Sequence, residues 1–183
     1  MNVEVLYSEY DKVRNTLGIE ASDDLLIASI SRQCITRYHK SKSVKEYLMS
    51  SSKRPPSCME NSLGTPWGLH KVCEKIGDGE PLGTVFKGRK SIGRTFWECE
   101  EEDRKNNLIT SRILRLLGLE KGVNSGNPVD TFNRYVYIHG TNWEENLGNP
   151  SSSGCLQVGN EEVVELFDSV VEGCHLFIEK LAD

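Results

Sequence analysis

The chain has 183 residues, of which 37% are hydrophobic and 27% are charged, and its net charge is −5. This length suits one globular domain with a sizeable buried core, so we expect a single domain over residues 1–183. The acidic balance offers no basic surface of the kind that binds nucleic acid, and we expect no nucleic-acid partner.

The N-terminal part of the sequence predicts one short helix followed by β-structure. The helix is expected at 8–17, where Gly18 would end it. Two β-rich runs at 25–31 and 33–38 predict a hairpin that bends at residues 31 and 32. Further strands are predicted at 44–49 and 68–76, followed by turns at the glycines and proline between residues 77 and 83.

The C-terminal part predicts more strands and one amphipathic helix. Strands are expected at 84–87, 109–117 and 135–138. From residue 161 apolar side chains recur at helical spacing, with Asn160 placed to cap the helix and Gly173 placed to stop it. A last strand is expected at 175–178. The predicted fold class is therefore mainly β.

Several kinds of site and segment are not expected from this sequence. The six cysteines lack the short paired spacing of a zinc site or a small disulfide scaffold, so we predict no metal and no cofactor. No apolar stretch approaches the roughly 18 residues that span a bilayer. The N-terminal residues lack the basic and apolar segments of an export signal.

The residues most suited to nucleophilic chemistry are one histidine and one cysteine. His139 follows the apolar run 135–138, and Cys155 follows a Pro-Ser-Ser-Ser-Gly loop. A cysteine attacks as its thiolate, and a histidine is the usual base that generates it. Buried structural residues would give the same local pattern, so the pair alone leaves both interpretations open.

A longer set of motifs resembles the L,D-transpeptidase catalytic domain, the YkuD family. The set comprises Tyr-Ile-His139-Gly-Thr, then Ser152-Ser-Gly-Cys155-Leu, then Asn160 and the helical run after it. Upstream, Thr65-Pro-Trp-Gly and the run 110–116 are similar to further family segments. The resemblance covers roughly residues 60–178, and it implies a β-sandwich or barrel with one helix after the cysteine loop and a few short helices.

The same resemblance implies a role for each residue around the cysteine. Cys155 would be the acylated nucleophile and His139 its proton acceptor and donor. A carbonyl near Gly140 or Thr141 would orient the imidazole, and the amides of Gly154 and Cys155 would stabilise the oxyanion. Ser152, Ser153 and Gln157 would contact the substrate, a peptidoglycan stem peptide attacked at the L-centre of diaminopimelate.

Two residues depart from the family pattern and keep other functions open. Many members carry His-Gly-Cys where this chain has Ser153-Gly-Cys, and many carry arginine at the position of Gln157. Glutamine cannot hold a carboxylate as an arginine does. The alternatives are an L,D-carboxypeptidase that hydrolyses the same stems and a catalytically silent wall-peptide binding module. A monomer in the cell envelope is expected from the resemblance, whereas the missing export signal keeps a cytoplasmic location open.

Overall fold

The structure, a computed structural model, describes residues 2–181 and consists mainly of β-strands. The α-helices are α1 (Val3–Thr16), α2 (Glu101–Arg104) and α3 (Asn160–Ser169). The strands are β1 (Asp24–Ser29), β2 (Cys34–His39), β3 (Lys42–Ser50), β4 (Gly68–Ile76), β5 (Thr84–Lys87), β6 (Lys90–Thr95), β7 (Ile109–Gly118), β8 (Tyr137–Thr141), β9 (Leu156–Val158) and β10 (His175–Ile178).

The strands form one sheet that closes on itself. The order is β4-β10-β1-β2-β3-β9-β8-β7-β5-β6, and β4 also pairs with β7. Eight strands therefore form a barrel, and the β5–β6 hairpin extends from one end of β7. The β1–β10 and β8–β9 pairs are parallel. A parallel pair puts residues of equal register on the same face, which matters for the site below.

The barrel interior and its outer face bury different sets of apolar residues. Helix α3 contributes Val163, Leu166 and Phe167 to the main core, together with Ile138 and Leu156 from β8 and β9. Helix α1 packs outside the barrel. It buries Leu6 and Tyr10 against a second cluster formed by Leu25, Ile27, Leu69 and Phe177. Successive strand residues face opposite sides, so the two clusters use alternate positions of β1.

The prediction of a mainly β fold with few helices is confirmed, and the differences lie at element ends. Helix α1 begins at Val3, five residues before the predicted start, because the Asn2 side chain accepts from the Glu4 amide and caps it. Strand β8 runs from Tyr137 to Thr141, so His139 lies inside the strand that was expected to end before it. Strand β6 and helix α2 were not predicted.

The prediction that Asn160 caps α3 is wrong. Gly159 is the N-cap residue, and Asn160 is the first helical residue with its side chain turned into the protein. The Glu144 carboxylate accepts from the Asn160 amide at 2.5 Å and so satisfies this helix end instead. The helix ends at Ser169, before Gly173. None of the helices in residues 2–181 is both long and apolar enough to cross a membrane.

Candidate active site

Strand pairing brings His139 and the cysteine loop together on one face of the barrel. In the parallel β8–β9 pair, Ile138 lies opposite Leu156 and His139 opposite Gln157. Ile138 and Leu156 point into the core, so His139 and Gln157 point to the other face. Cys155 directly precedes β9. It packs against Phe86, Ile113 and Tyr137 on the same side as His139.

The hydrogen bond of His139 fixes which ring nitrogen is basic. Its Nδ1 lies 2.7 Å from the carbonyl oxygen of Gly140. A carbonyl oxygen only accepts, so Nδ1 carries the proton and Nε2 keeps its lone pair. His139 is 3% exposed, and this burial lowers its pKa to about 4, although the bond to Gly140 acts in the opposite direction. At neutral pH the imidazole is therefore uncharged and able to accept a proton.

The thiol of Cys155 is also uncharged at rest. Burial raises the pKa of Cys155 to about 11, and a backbone hydrogen bond from Tyr137 and the charge of Arg134 oppose that rise. The sulfur lies 3.7 Å from the Tyr135 carbonyl oxygen, the acceptor for the thiol hydrogen. The site at rest thus holds a neutral thiol and a neutral imidazole.

An open cavity of about 270 Å³ gives access to the cysteine. Ser153, Gly154 and Cys155 form one side of it, and residues from two other loops form the rest. These residues are Glu60, Asn61, Leu63, Asn133, Arg134, Tyr135 and Val136. The cavity opens to solvent, and the partly exposed Cys155 borders it.

The sequence analysis did not identify Arg134, which holds one wall of this cavity in place. Its guanidinium is half-buried and donates to the carbonyl oxygens of Ser57 at 2.9 Å and Gly64 at 2.6 Å. Burial lowers the pKa of Arg134. These bonds tie the loop after β3 to the segment before β8. Arg134 immediately precedes the predicted strand at 135–138, and an arginine before an apolar run is too common a signal to select a site.

The family model of the L,D-transpeptidase catalytic domain, YkuD, matches residues 23–178, from just before β1 to the end of β10. The chain belongs to this family. Of the helices and strands described in residues 2–181, only α1 lies outside the match.

Individual similar proteins are also L,D-transpeptidases by name. A stretch of 48 residues is 44% identical to YqjB of Bacillus subtilis strain 168, whose name places it provisionally among the L,D-transpeptidases, and covers 26% of this chain and 27% of YqjB. An L,D-transpeptidase from Mycobacterium smegmatis superposes with a TM-score of 0.55 at 14% identity, over 88% of this chain and 61% of that one. L,D-transpeptidase 3 from Mycobacterium tuberculosis, in complex with a faropenem-derived adduct, gives a TM-score of 0.52 at 15% identity, over 86% and 60%. At these identities the solved structures show a shared fold, and this chain spans less than two thirds of each.

Within this L,D-transpeptidase domain, Ser152 and Gly154 shape the loop that carries Cys155. The Ser152 hydroxyl donates to the Cys155 carbonyl oxygen at 2.6 Å and accepts from the Gly154 amide at 3.2 Å. Ser152 is buried, and the structure does not place it on the cavity, whereas the exposed Ser153 does line it. Gly154 has a φ of +128°, a conformation that favours glycine. Its amide, expected to face an oxyanion, is directed to Ser152 at rest.

Gln157 lies in the protein interior, although the sequence analysis expected it to contact substrate. Its side chain has no exposed surface. Its Oε1 accepts from Ser151 at 2.8 Å, and its Nε2 donates to Asn107 at 2.5 Å and to Thr141 Oγ1 at 3.4 Å. With these three hydrogen bonds, both the oxygen and the nitrogen of the side-chain amide have partners within the protein. Gln157 therefore links three segments of the L,D-transpeptidase fold and does not reach the cavity.

A second buried network lies behind the His139–Gly140 peptide. Asn160 Oδ1 accepts from the hydroxyls of Thr110 and Ser111, both at 2.6 Å. Asn160 Nδ2 donates to the Thr141 carbonyl and to Glu144, both at 2.8 Å. A Cβ on Gly140 would lie 2.8 Å from Asn160 Oδ1, so only glycine fits there. The network thereby holds the backbone at residues 140 and 141 in place, and the Gly140 carbonyl of this backbone orients His139.

Within residues 2–181 no three His, Cys, Asp or Glu side chains group as ligands for one metal ion.

Proposed function

We propose that this protein is an L,D-transpeptidase that acts on peptidoglycan stem peptides through an acyl-enzyme on Cys155. One observation carries the proposal. His139 has its Nδ1 hydrogen directed to Gly140, leaving Nε2 as a base on the face of the barrel where Cys155 borders an open cavity. Family membership supports the reaction type, and the neutral resting pair defines how it starts.

In the first half-reaction, His139 Nε2 takes the thiol proton as the sulfur of Cys155 attacks the scissile carbonyl carbon. The tetrahedral oxyanion would be held by the backbone amide of Cys155, since the Gly154 amide donates to Ser152 at rest. Collapse of the intermediate breaks the C–N bond. The imidazolium gives its proton to the leaving amine, and the thioester remains on Cys155.

In the second half-reaction, the acyl group passes from sulfur to an acceptor. A neutral His139 removes a proton from the incoming amine as its nitrogen attacks the thioester carbonyl. The sulfur then leaves and takes that proton back from the imidazolium, which restores the neutral pair. With water as the acceptor the same steps give an L,D-carboxypeptidase.

The remaining expectations about the protein follow from this proposed activity. Its partners would be stem peptides of the cell wall, which places the activity in the cell envelope. Residues 1–183 would act as a single catalytic domain and as a monomer. Gel filtration of the purified chain against standards of known mass tests the last statement, because a dimer would elute at twice the mass.

The proposal is tested by intact-protein mass spectrometry after exposure to a penem and, separately, to a tetrapeptide stem. Cys155→Ala is the control, and circular dichroism verifies that it folds. A mass increase that is absent in Cys155→Ala is expected for both reagents. A folded wild-type protein that gains mass with neither reagent would contradict the proposal and favour the silent binding module.

Product analysis separates transfer from hydrolysis. The tetrapeptide stem is incubated with and without an acceptor amine, and the products are resolved by liquid chromatography and mass spectrometry. A cross-linked product in the presence of the amine is expected. Tripeptide alone under both conditions would show that water resolves the thioester, and the protein would be a carboxypeptidase.

A further inference from the structure

Four arginines of the segment 80–135, one of which lines the Cys155 cavity, differ in how many protein acceptors their guanidinium groups already contact. Arg134 donates to carbonyl oxygens of the loop after β3. Arg115 donates to Glu74 at 3.0 Å and to the Phe132 carbonyl at 3.3 Å. Arg112 donates to the Glu80 and Ser111 carbonyls. Each of these three groups is buried or half-buried and used for structure.

Arg89 is different because its guanidinium is only partly engaged. Its Nη1 donates to the Tyr137 hydroxyl at 3.2 Å, and its Cζ lies 4.9 Å from the centre of the Tyr135 ring. None of the ion pairs in the described part of the chain involves Arg89. A guanidinium has five N–H donors, so a fork remains available for a planar anion.

The contacts of Arg89 place it beside the reactive cysteine. Tyr137 belongs to the small apolar cluster against which Cys155 packs. Tyr135 lines the cavity that opens on Cys155, and its carbonyl oxygen accepts from the Cys155 thiol at 3.7 Å. Arg89 therefore contacts one aromatic residue that lines the cavity, Tyr135, and one that packs against Cys155, Tyr137.

The backbone at Arg89 is one that an arginine seldom adopts. Lys87 pairs with Lys90, so Gly88 and Arg89 form a two-residue hairpin turn, with φ values of +55° and +66°. Such turns favour glycine or asparagine at both central positions. Arg89 keeps this unfavourable conformation beside the two tyrosines next to Cys155, which points to a functional requirement.

We propose that the Arg89 fork binds a carboxylate of the donor stem peptide and thereby selects donors that carry it. The inference rests on the proposed function, because the donor is taken to be a stem peptide. Two carboxylates have suitable chemistry. One is the C-terminal carboxylate of the leaving D-amino acid, and the other is the carboxylate at the end of the diaminopimelate side chain. Arginine binds either one with two parallel N–H···O bonds.

The test compares three synthetic tetrapeptide donors: the free acid, the C-terminal amide and the side-chain amide. Initial rates of leaving-group release give kcat/KM for wild type, Arg89→Gln and Arg89→Gly. Arg94→Gln is the matched control, since it makes the same charge change in the same hairpin. Arg89→Gly removes the side chain but places glycine where the turn favours it, so the fold is retained.

We expect wild type and Arg94→Gln to use one of the two amides about 10- to 100-fold less well than the free acid, as for loss of one charge-assisted bidentate pair. The amide that is disfavoured identifies the bound carboxylate. Arg89→Gln and Arg89→Gly should lose the same factor with the free acid and show no preference among the donors.

Two results would overturn the inference. If both Arg89 variants lower kcat/KM for all three donors by one common factor, Arg89 only supports the hairpin. If wild type turns over all three donors equally, neither carboxylate of the donor is recognised. Absence of turnover with every donor and every variant would instead remove the proposed function, and this inference with it.

Discussion

The buried amide of Asn160 can be tested by the nearly isosteric substitution Asn160→Asp. The new side chain keeps an oxygen that accepts from the hydroxyls of Thr110 and Ser111. The Nδ2 donor is replaced by a second oxygen, which then faces the Thr141 carbonyl and the Glu144 carboxylate at the 2.8 Å positions. Acceptors therefore meet acceptors, and the new buried carboxylate faces the carboxylate of the exposed Glu144.

The expected loss of stability follows mainly from the donor bond to the buried Thr141 carbonyl. Removing the partner of a buried polar group costs about 1–3 kcal/mol. The buried Thr141 carbonyl loses its donor in this way, whereas the exposed Glu144 regains water, so we expect a loss of about 2 kcal/mol at pH 7, which for a protein of this length lowers Tm by roughly 4–8 °C. Burial and Glu144 both raise the pKa of the new carboxyl group above its ordinary value of about 3.9. The native variant then takes up this proton before its unfolded chain does, so the deficit relative to wild type shrinks as the pH falls from 7 to 5.

Urea unfolding at pH 7 and pH 5 measures this effect, with the exposed Asn149→Asp as the matched control. Acylation of Cys155 should also slow, since the Thr141 backbone is joined to the Gly140 carbonyl that orients His139. A loss under about 1 kcal/mol at pH 7, or a larger loss at pH 5 than at pH 7, would refute the role assigned to the Asn160 amide.

Three further predictions concern protonation and the cysteine loop. The folded pKa values of His139 and His70 are both about 4, below the ordinary 6.5, so the unfolded chain binds these protons first as the pH falls. The free energy of unfolding should therefore have its full value above about pH 7 and decrease between pH 6.5 and 4 by on the order of 3 kcal/mol per histidine. In urea titrations, His70→Gln should remove about half of the decrease due to these two histidines. With a Cys155 pKa of about 11, its alkylation by iodoacetamide in the free protein should be slow at pH 7 and rise about tenfold per pH unit up to pH 10, followed by peptide mass mapping; fast labelling at pH 7 would contradict the neutral thiol. In Gly154→Ala the new Cβ has room, 3.5 Å from the Gly64 carbonyl oxygen, but the φ of +128° is unfavourable for alanine. We therefore expect stability to fall by about 1–3 kcal/mol and acylation in the mass assay to slow at least tenfold. Acylation at the wild-type rate would show that the +128° conformation is not needed.

The sequence predicted those parts of the fold that depend on local pattern. Strands at 68–76, 84–87 and 175–178 match β4, β5 and β10, because glycine turns and β-rich runs delimit them. The strand before the histidine was placed two residues too early, since Tyr135 continues the apolar run but has a φ of +56° and belongs to the preceding loop. Local composition does not reveal such a backbone conformation.

The site residues that sequence reasoning misplaced depend on partners far away in the chain. The family resemblance assigned Gln157 a contact with substrate, but Asn107, 50 residues earlier in the chain, accepts a hydrogen bond from its side-chain amide. Asn160 precedes a helical pattern and so resembled a cap, but Glu144 takes the helix amide and frees the Asn160 side chain for Thr110. The sequence does not show either of these hydrogen-bond partners, because they come together only when the strands pair in register.

The neutral pair at the centre of the proposed mechanism has a consequence for selectivity. Burial raises the pKa of the Cys155 thiol and lowers that of the His139 imidazole, so in the empty site the proton stays on sulfur. Charge separation becomes favourable only when a bound carbonyl receives the sulfur electrons and backbone amides receive the negative charge on its oxygen. A thiol that is inert at rest depends on correct placement of the donor. The contacts that place it, including the Arg89 fork, would then determine the rate of acylation as well as the affinity.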